Sequence, residues 1–202
     1  AAVHNVGGVI AMLGAALLDA GCVPDLVRLV RPEFFYREQH RKIFEVISGK
    51  FTLGEPIDIV TVMEAAVREE IFSTPEETKA AVDIVGKAIN DRKIPFALVF
   101  GNHDHEGLCD EQNGMTEEQA KKQLMAWFQA YEYCMAVDGE EMTGVGNYNL
   151  PILNTAGNKT VFNLWFMDSN PYTDESEGGG YGYVHKDQID WYERTSNALK
   201  AE

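Results

Sequence analysis

Positive charge is scarce in this chain: 17 Lys and Arg stand against 32 Asp and Glu over 202 residues, a formal net charge of −15. Nucleic-acid backbones are bound by basic faces that displace counterions, so this balance excludes general nucleic-acid binding. It keeps the chain dissolved and attracts cations. Cysteine is scarce too. Cys22, Cys109 and Cys134 form no C-x-x-C pair, and an odd number is a poor disulfide framework. The expectation is a reducing, cytoplasmic setting, with Cys109 an incidental loop residue. No GxxxxGK[ST] loop occurs, which excludes a P-loop nucleotide motor. No apolar run is long enough to span a bilayer. Residues 6–20 come nearest, but Asp19 interrupts the end and no basic leader precedes them, so they read as a buried helix and no membrane is expected. Hydrophobic content of 45% is ordinary for a globular chain, and the length suits one large domain or two small ones.

What is present divides into two unlike halves, 1–72 and 73–202. Residues 6–72 read as wholly helical. Leu13, Ala16, Leu17 and Ala20 recur at helical spacing. Pro24 suits the first turn of a helix running to Val30, and Pro32 punctuates its end. Ile43, Phe44 and Ile47 share a face of the next helix, where His40 is expected at the surface or partly buried. Asp58 can cap the helix carrying Val62, Met63 and Ala66. Ser73-Thr74-Pro75-Glu76-Glu77 is a helix start, and the helix to Asn90 turns Ala80, Ile84, Val85 and Ala88 inward. No flexible linker separates the halves, so one helical segment can serve both.

The second half alternates. Residues 94–100 form a short apolar run that reads as a buried strand; 131–137, 146–153 and 160–169 read as further strands. Thr116 and Gln119 are a capping-box pair for a helix to Phe128. Residues 175–182 are a glycine-rich loop. An amphipathic helix follows from 185 or 186, with Ile189, Tyr192 and Leu199 on its apolar side. The fold class expected is α+β overall: an all-α bundle, then a partial α/β layer structure.

Gly101-Asn102-His103-Asp104 stands at the C-terminal end of the first of these runs, where α/β folds place their chemistry. Asn102 offers an amide oxygen to a metal, His103 a proton or hydrogen bond to a phosphoryl oxygen, and Asp104 a carboxylate to fix the His tautomer. A polar turn after a strand is the plainer alternative. The stretch 92–104 resembles the central metal motif of calcineurin-like metallophosphoesterases, in their purple-acid-phosphatase-related branch. Gly144-Val145-Gly146-Asn147-Tyr148-Asn149-Leu150-Pro151-Ile152, Asn163-Leu164-Trp165-Phe166-Met167-Asp168-Ser169 and Tyr181-Gly182-Tyr183-Val184-His185-Lys186-Asp187-Gln188-Ile189-Asp190-Trp191-Tyr192 continue the resemblance in the same order, over roughly 73–202.

That resemblance implies a divalent metal (Mn²⁺, Fe or Zn²⁺) and a phosphate ester substrate. Asn102 matches a metal ligand, His103 the phosphate-contacting or leaving-group residue, and Asp104 its acidic partner. The family's Asp-x-His and Gly-Asp do not precede residue 95, and no Gly-His-x-His follows. A catalytic zinc needs three protein ligands plus water. His105 reads as a solvated loop residue and His185 as a helix start; Glu106, Asp110 and Glu111 offer carboxylates that are more simply an acidic loop. Weak activity, none, or no bound metal at all are the expectations.

The first half resembles the N-terminal domain of DnaB-type replicative helicases through Leu13-Gly14-Ala15-Ala16-Leu17-Leu18-Asp19, Pro32-Glu33-Phe34-Phe35-Tyr36, His40-Arg41-Lys42-Ile43-Phe44-Glu45 and Gly54-Glu55-Pro56-Ile57-Asp58-Ile59-Val60-Thr61-Val62, over about 9–66. In that family the domain is a helical bundle without catalysis that takes part in collar and primase contacts. The resemblance implies self-association or a replication-protein partner. Three readings stay open: an incomplete phosphoesterase module, an interaction module, and an artificial or misassembled fusion with no joint function.

Overall fold

The computed structural model describes residues 6–69, 71, 74–109, 114–173, 176 and 178–200. Five helices come first: α1 (Val6–Leu18), α2 (Val23–Leu29), α3 (Glu38–Leu53), α4 (Ile59–Arg68) and α5 (Pro75–Asp91). After α6 (Glu117–Gln129) come β1 (Tyr148–Leu153), β2 (Thr160–Phe166), β3 (Tyr172–Thr173) and β4 (Gly180–Tyr181). Helix α7 (Lys186–Lys200) closes the described chain. The architecture is α+β, as the sequence implies.

Local chemistry explains most boundaries. Pro24 lies in the first turn of α2. Gly54 ends α3 in the left-handed region at φ 69°, a conformation that costs glycine little. Asp58 accepts from the Thr61 backbone N–H at 2.9 Å, and Thr74 from that of Glu77 at 3.3 Å. Ser73, the other cap candidate, lies outside the described residues. Thr116 and Gln119 form the reciprocal capping box of α6.

Two apolar cores share α5. The first packs Leu13, Val23, Ile43, Phe44, Ile47, Val62 and Ile84 between the N-terminal helices. The second gathers Phe100, Leu108, Leu124, Met125, Val145 and Tyr148, with Val82 from α5. Ile84 and Val82 lie two positions apart, which sends them to different sides of the helix. Ala80, Ile84 and Ala88 are buried as their spacing implies, and Val85 is half-buried.

The expected strand at 94–100 is not a strand. Its pairing is a single parallel bridge, Phe96 to Cys134, in which the Phe96 N–H donates to Tyr133 O at 3.0 Å and the Met135 N–H to Phe96 O at 2.7 Å. The segment 131–137 is likewise a turn and this bridge. Apolar content could not create pairing partners: α5 precedes this run and lends it no further strand. Ile94 and Val99 are exposed as a result, and only Phe100 is buried in the core. Tyr148 holds the run from the other side. Its hydroxyl donates to Leu98 O at 2.7 Å and accepts from Leu98 N at 3.1 Å.

The hairpin β1–β2 is antiparallel, with Tyr148 opposite Phe166 and Leu150 opposite Leu164. Tyr148 and Phe166 are stacked at 4.6 Å. The short pair β3–β4 sets Tyr172 against Tyr181. On α7 the expected apolar face is displaced. Gln188 and Trp191 are the buried residues, whereas Ile189 and Tyr192 are exposed and Leu199 is half-buried. A polar residue wins the buried position because a buried hydrogen-bond network receives it.

His40 also departs from expectation. It is fully buried in α3, and its Nε2 has no hydrogen-bond partner. Burial lowers its pKa, the nearby Arg37 lowers it further, and Asp83 opposes both. His105 is lowered as well, again mainly by burial. A histidine with a depressed folded pKa leaves the unfolded chain binding more protons as pH falls. Stability is therefore complete above the ordinary value of 6.5 and is lost as pH falls below it. Urea unfolding at pH 7.5 and 5.5 should show this loss, and His40→Leu should reduce it. An unchanged pH dependence in the variant would refute the assignment to His40.

Among the described residues no single helix is long and apolar enough to cross a membrane.

Candidate functional site

The Gly101–Asp104 turn follows Phe100, which anchors it in the second core, and precedes a 3-10 turn, Glu106–Leu108, anchored by buried Leu108. Between these anchors His103, Asp104 and Glu106 are exposed, whereas Asn102 and His105 are half-buried. Asn102, His103 and Glu106 join Tyr172 in a chain of hydrogen bonds. Asn102 Nδ2 donates to Tyr172 Oη at 3.0 Å. Tyr172 Oη lies 3.4 Å from His103 Nε2, and His103 Nδ1 donates to Glu106 Oε1 at 2.7 Å. The His103 and Tyr172 rings meet edge to face at 6.1 Å.

Asp104, expected to partner His103, is placed otherwise. Its Oδ2 accepts the Gly101 N–H at 2.7 Å, closing the turn on itself. Glu106 holds the imidazole instead. The geometry favours this: three residues on, within a tight turn, a longer carboxylate side chain reaches Nδ1 while the adjacent one is committed to the backbone. His105 is not a solvated loop histidine. It is half-buried, with Nδ1 unpartnered. His185 precedes α7 as expected; its N–H donates to Gln188 Oε1 at 2.7 Å, and its ring stacks on Tyr183 at 4.6 Å.

A metal centre needs three or more convergent ligands. Among the described residues no group of three His, Cys, Asp or Glu side chains could hold a metal ion. Asn102 and His103 converge on a phenol and one carboxylate. This donor set does not fit a one- or two-metal phosphoesterase centre. Asp110 and Glu111, the other carboxylates offered by the sequence, lie outside the described residues.

The remaining three family-like motifs meet elsewhere, in a buried polar network that spacing alone does not reveal. Asp168 takes both oxygens to Lys121 Nζ, at 2.7 and 3.0 Å, and both partners are about 1% exposed. It also accepts the backbone N–H groups of Val145 and Asn170, each at 3.0 Å. Asn147 Oδ1 accepts from Asp168 N at 3.0 Å and from Gln188 Nε2 at 2.8 Å, while Gln188 Nε2 also reaches Asp168 O at 2.6 Å. Gly144, at φ 79°, brings the backbone so close that a Cβ there would meet Asp168 Cβ at 2.9 Å. These motif residues hold β1, β2, α6 and α7 together. Among the described residues, Asn147, Asp168 and Gln188 make no hydrogen bond to His103 or Asn102. A sequence signal for the network did exist: polar Asn147 and Asp168 bordering apolar strands.

Beside the Asn102–Glu106 turn lies a half-open cleft of about 550 Å³. Apolar side chains of α4, α5 and α6 wall it, and His103, Asp104 and Glu106 stand on its lining.

Comparison with known proteins gives two separate likenesses. Residues 3–97 match the family model described as the DnaB-like helicase N terminal domain. The replicative DNA helicase DnaB of Geobacillus stearothermophilus is 40% identical over 62 residues, 30% of this chain and 14% of that protein. Probable inactive purple acid phosphatase 29 of Arabidopsis thaliana is 34% identical over 114 residues, 54% of this chain and 28% of the relative. Probable inactive purple acid phosphatase 28 of the same plant is 27% identical over 140 residues, 61% of this chain and 32% of the relative. The chain thus spans about a third or less of the length of each of these relatives. No solved structure matches it. Similarity to a helicase N-terminal domain and similarity to purple acid phosphatases are joined in one chain, as they are in a chimera.

Proposed function

We propose that the chain is a non-catalytic binding protein, in which a calcineurin-like phosphoesterase-type domain lacking a working metal centre is joined to a helical protein-interaction module. The observation that carries this reading is the hydrogen-bond chain Asn102–Tyr172–His103–Glu106. It engages the motif's metal-binding and phosphate-contacting side chains with one another, and no further ligands converge on them among the described residues. Purple acid phosphatases 28 and 29 bear the word inactive in their names, in keeping with this.

The test is hydrolysis of an aryl phosphate with and without Mn²⁺, for the wild type and His103→Ala. The expected result is the same background rate in all four arms. A Mn²⁺-dependent rate that disappears in His103→Ala would sink the reading and restore a metallophosphoesterase.

The helical half supplies the binding role. Leu29, Tyr36, Leu53 and Val60 are large apolar or aromatic side chains exposed on its surface. A contact that takes such side chains out of water is favourable. Their partner is a second copy of the chain or a replication protein, in line with the DnaB-like resemblance of this half.

A further inference from the structure

The cleft between the two cores has the size and lining of a ligand site. Its volume of about 550 Å³ lies within the range of small-molecule pockets. Met63 of α4, Ala81 and Val85 of α5, Phe128 of α6, and Leu98 and Phe100 of the segment after α5 contribute its apolar wall. The polar groups are few and gathered on one side. Thr78 is the exception, and its hydroxyl is committed to Thr74 O at 3.0 Å. On the 103–107 turn stand His103, Asp104 and Glu106, and no Lys or Arg is among the described lining residues.

This arrangement selects by charge. An apolar body enters the cleft, where it gains by leaving water. Its head group then meets His103 and two carboxylates, Asp104, with Oδ2 turned to the backbone, and Glu106, with Oε1 on His103. An anionic head would face like charge on a chain of net charge −15. We infer that the cleft between α4, α5, α6 and the 98–107 segment binds a small amphipathic cation, an aliphatic or aromatic body bearing a single ammonium group. The inference rests on the reading of the 101–104 turn as metal-free, since a divalent cation held there would reverse the charge of the rim; the hydrolysis assay tests that reading separately.

Three probes of one chain length separate body from head: octylammonium, octanol and octanoate, each titrated into the ¹⁵N-labelled full chain below its aggregation limit. Octylammonium should move the Val85, Val99 and Gly107 amide signals saturably. It should bind about fivefold tighter than octanol, the scale of a partly exposed ion pair, and octanoate should bind least. Glu106→Gln should remove most of the preference of ammonium over octanol. Ala81→Phe, which fills the cleft, should abolish binding of all three. The variants' amide spectra away from the cleft report whether each is folded, and Val85→Phe is the second filling variant if Ala81→Phe is not. Equal or tighter binding of octanoate, saturation at amides remote from the cleft, or no saturable binding by octylammonium would each overturn the inference.

Discussion

Lys121→Met is expected to cost about 3–5 kcal/mol of folding stability, because it strips the counter-charge from a carboxylate that has no water to turn to. Asp168 would keep the Val145 and Asn170 N–H groups but lose both contacts to Nζ. Its neighbours Asn147 and Gln188 cannot compensate. Gln188 Nε2 is already shared between Asn147 Oδ1 and the Asp168 carbonyl, and Asn147 donates to Thr143 O at 2.9 Å. Methionine retains the length and most of the volume of lysine, so the loss reports charge and not packing. At about 2–4 °C per kcal/mol for a chain of this size, melting should fall by about 10 °C. Asp168→Asn should cost less, since an amide oxygen still accepts one bond and Lys121 retains Glu117 at 2.9 Å. Urea unfolding of both variants checks this. A loss below about 1 kcal/mol for Lys121→Met, the scale of an exposed pair, would show that the network is solvated.

Gly14→Val is expected to lose about 3 kcal/mol, at the upper end of ordinary overpacking effects. Helices α1 and α5 cross so closely that a Cβ at position 14 would meet Ala88 Cβ at 2.3 Å and Ile84 O at 2.7 Å. The carbonyl belongs to the backbone of α5 and cannot rotate away. Helix propensity acts in the opposite direction, since glycine is a poor helix former; a net loss therefore isolates the crossing. Ala88→Gly in the same chain removes one of the two obstructions and should restore part of the stability. The measurement is again unfolding by urea, and a neutral Gly14→Val would mean that α1 and α5 are not apposed as described. The consequence reaches beyond the helical bundle. Because α5 also carries Val82 into the second core, opening the seam should loosen the hairpin half as well, and both halves should unfold in one transition.

Much of the local structure was legible in the residues. Pro24, Gly54, Asp58, Thr74 and the Thr116/Gln119 pair mark helix ends through bonds to the nearest turn of backbone, so position in the chain suffices to locate them. The strands β1 and β2 were also visible as apolar runs, and the structure pairs them with each other as consecutive neighbours. The run at 94–100 was misleading for the opposite reason: a strand requires partners, and the hydropathy of a segment carries no information about what lies beside it. The same distinction separates the candidate site residues. That Asn102, His103 and Asp104 share a turn follows from adjacency. That Asn102 meets Tyr172, that Glu106 and not Asp104 holds His103, and that His105 is half-buried follow from how the turn docks between Phe100 and Leu108.

By itself, then, the sequence determined the helical first half, the mixed second half, the acid-rich surface and the absence of a P-loop, all properties of composition and short-range spacing. It also carried both resemblances, because motif order survives without coordinates. Only the tertiary structure decided that α5 serves two cores, that Lys121, Asn147, Asp168 and Gln188 close into one buried network, and that an apolar cleft opens beside an acidic turn. Each of these depends on contacts between residues distant in the chain: Lys121 and Asp168 stand 47 positions apart, and their attraction has no local signature. Burial turns that distant pair into a strong constraint, because charges withdrawn from water must find each other.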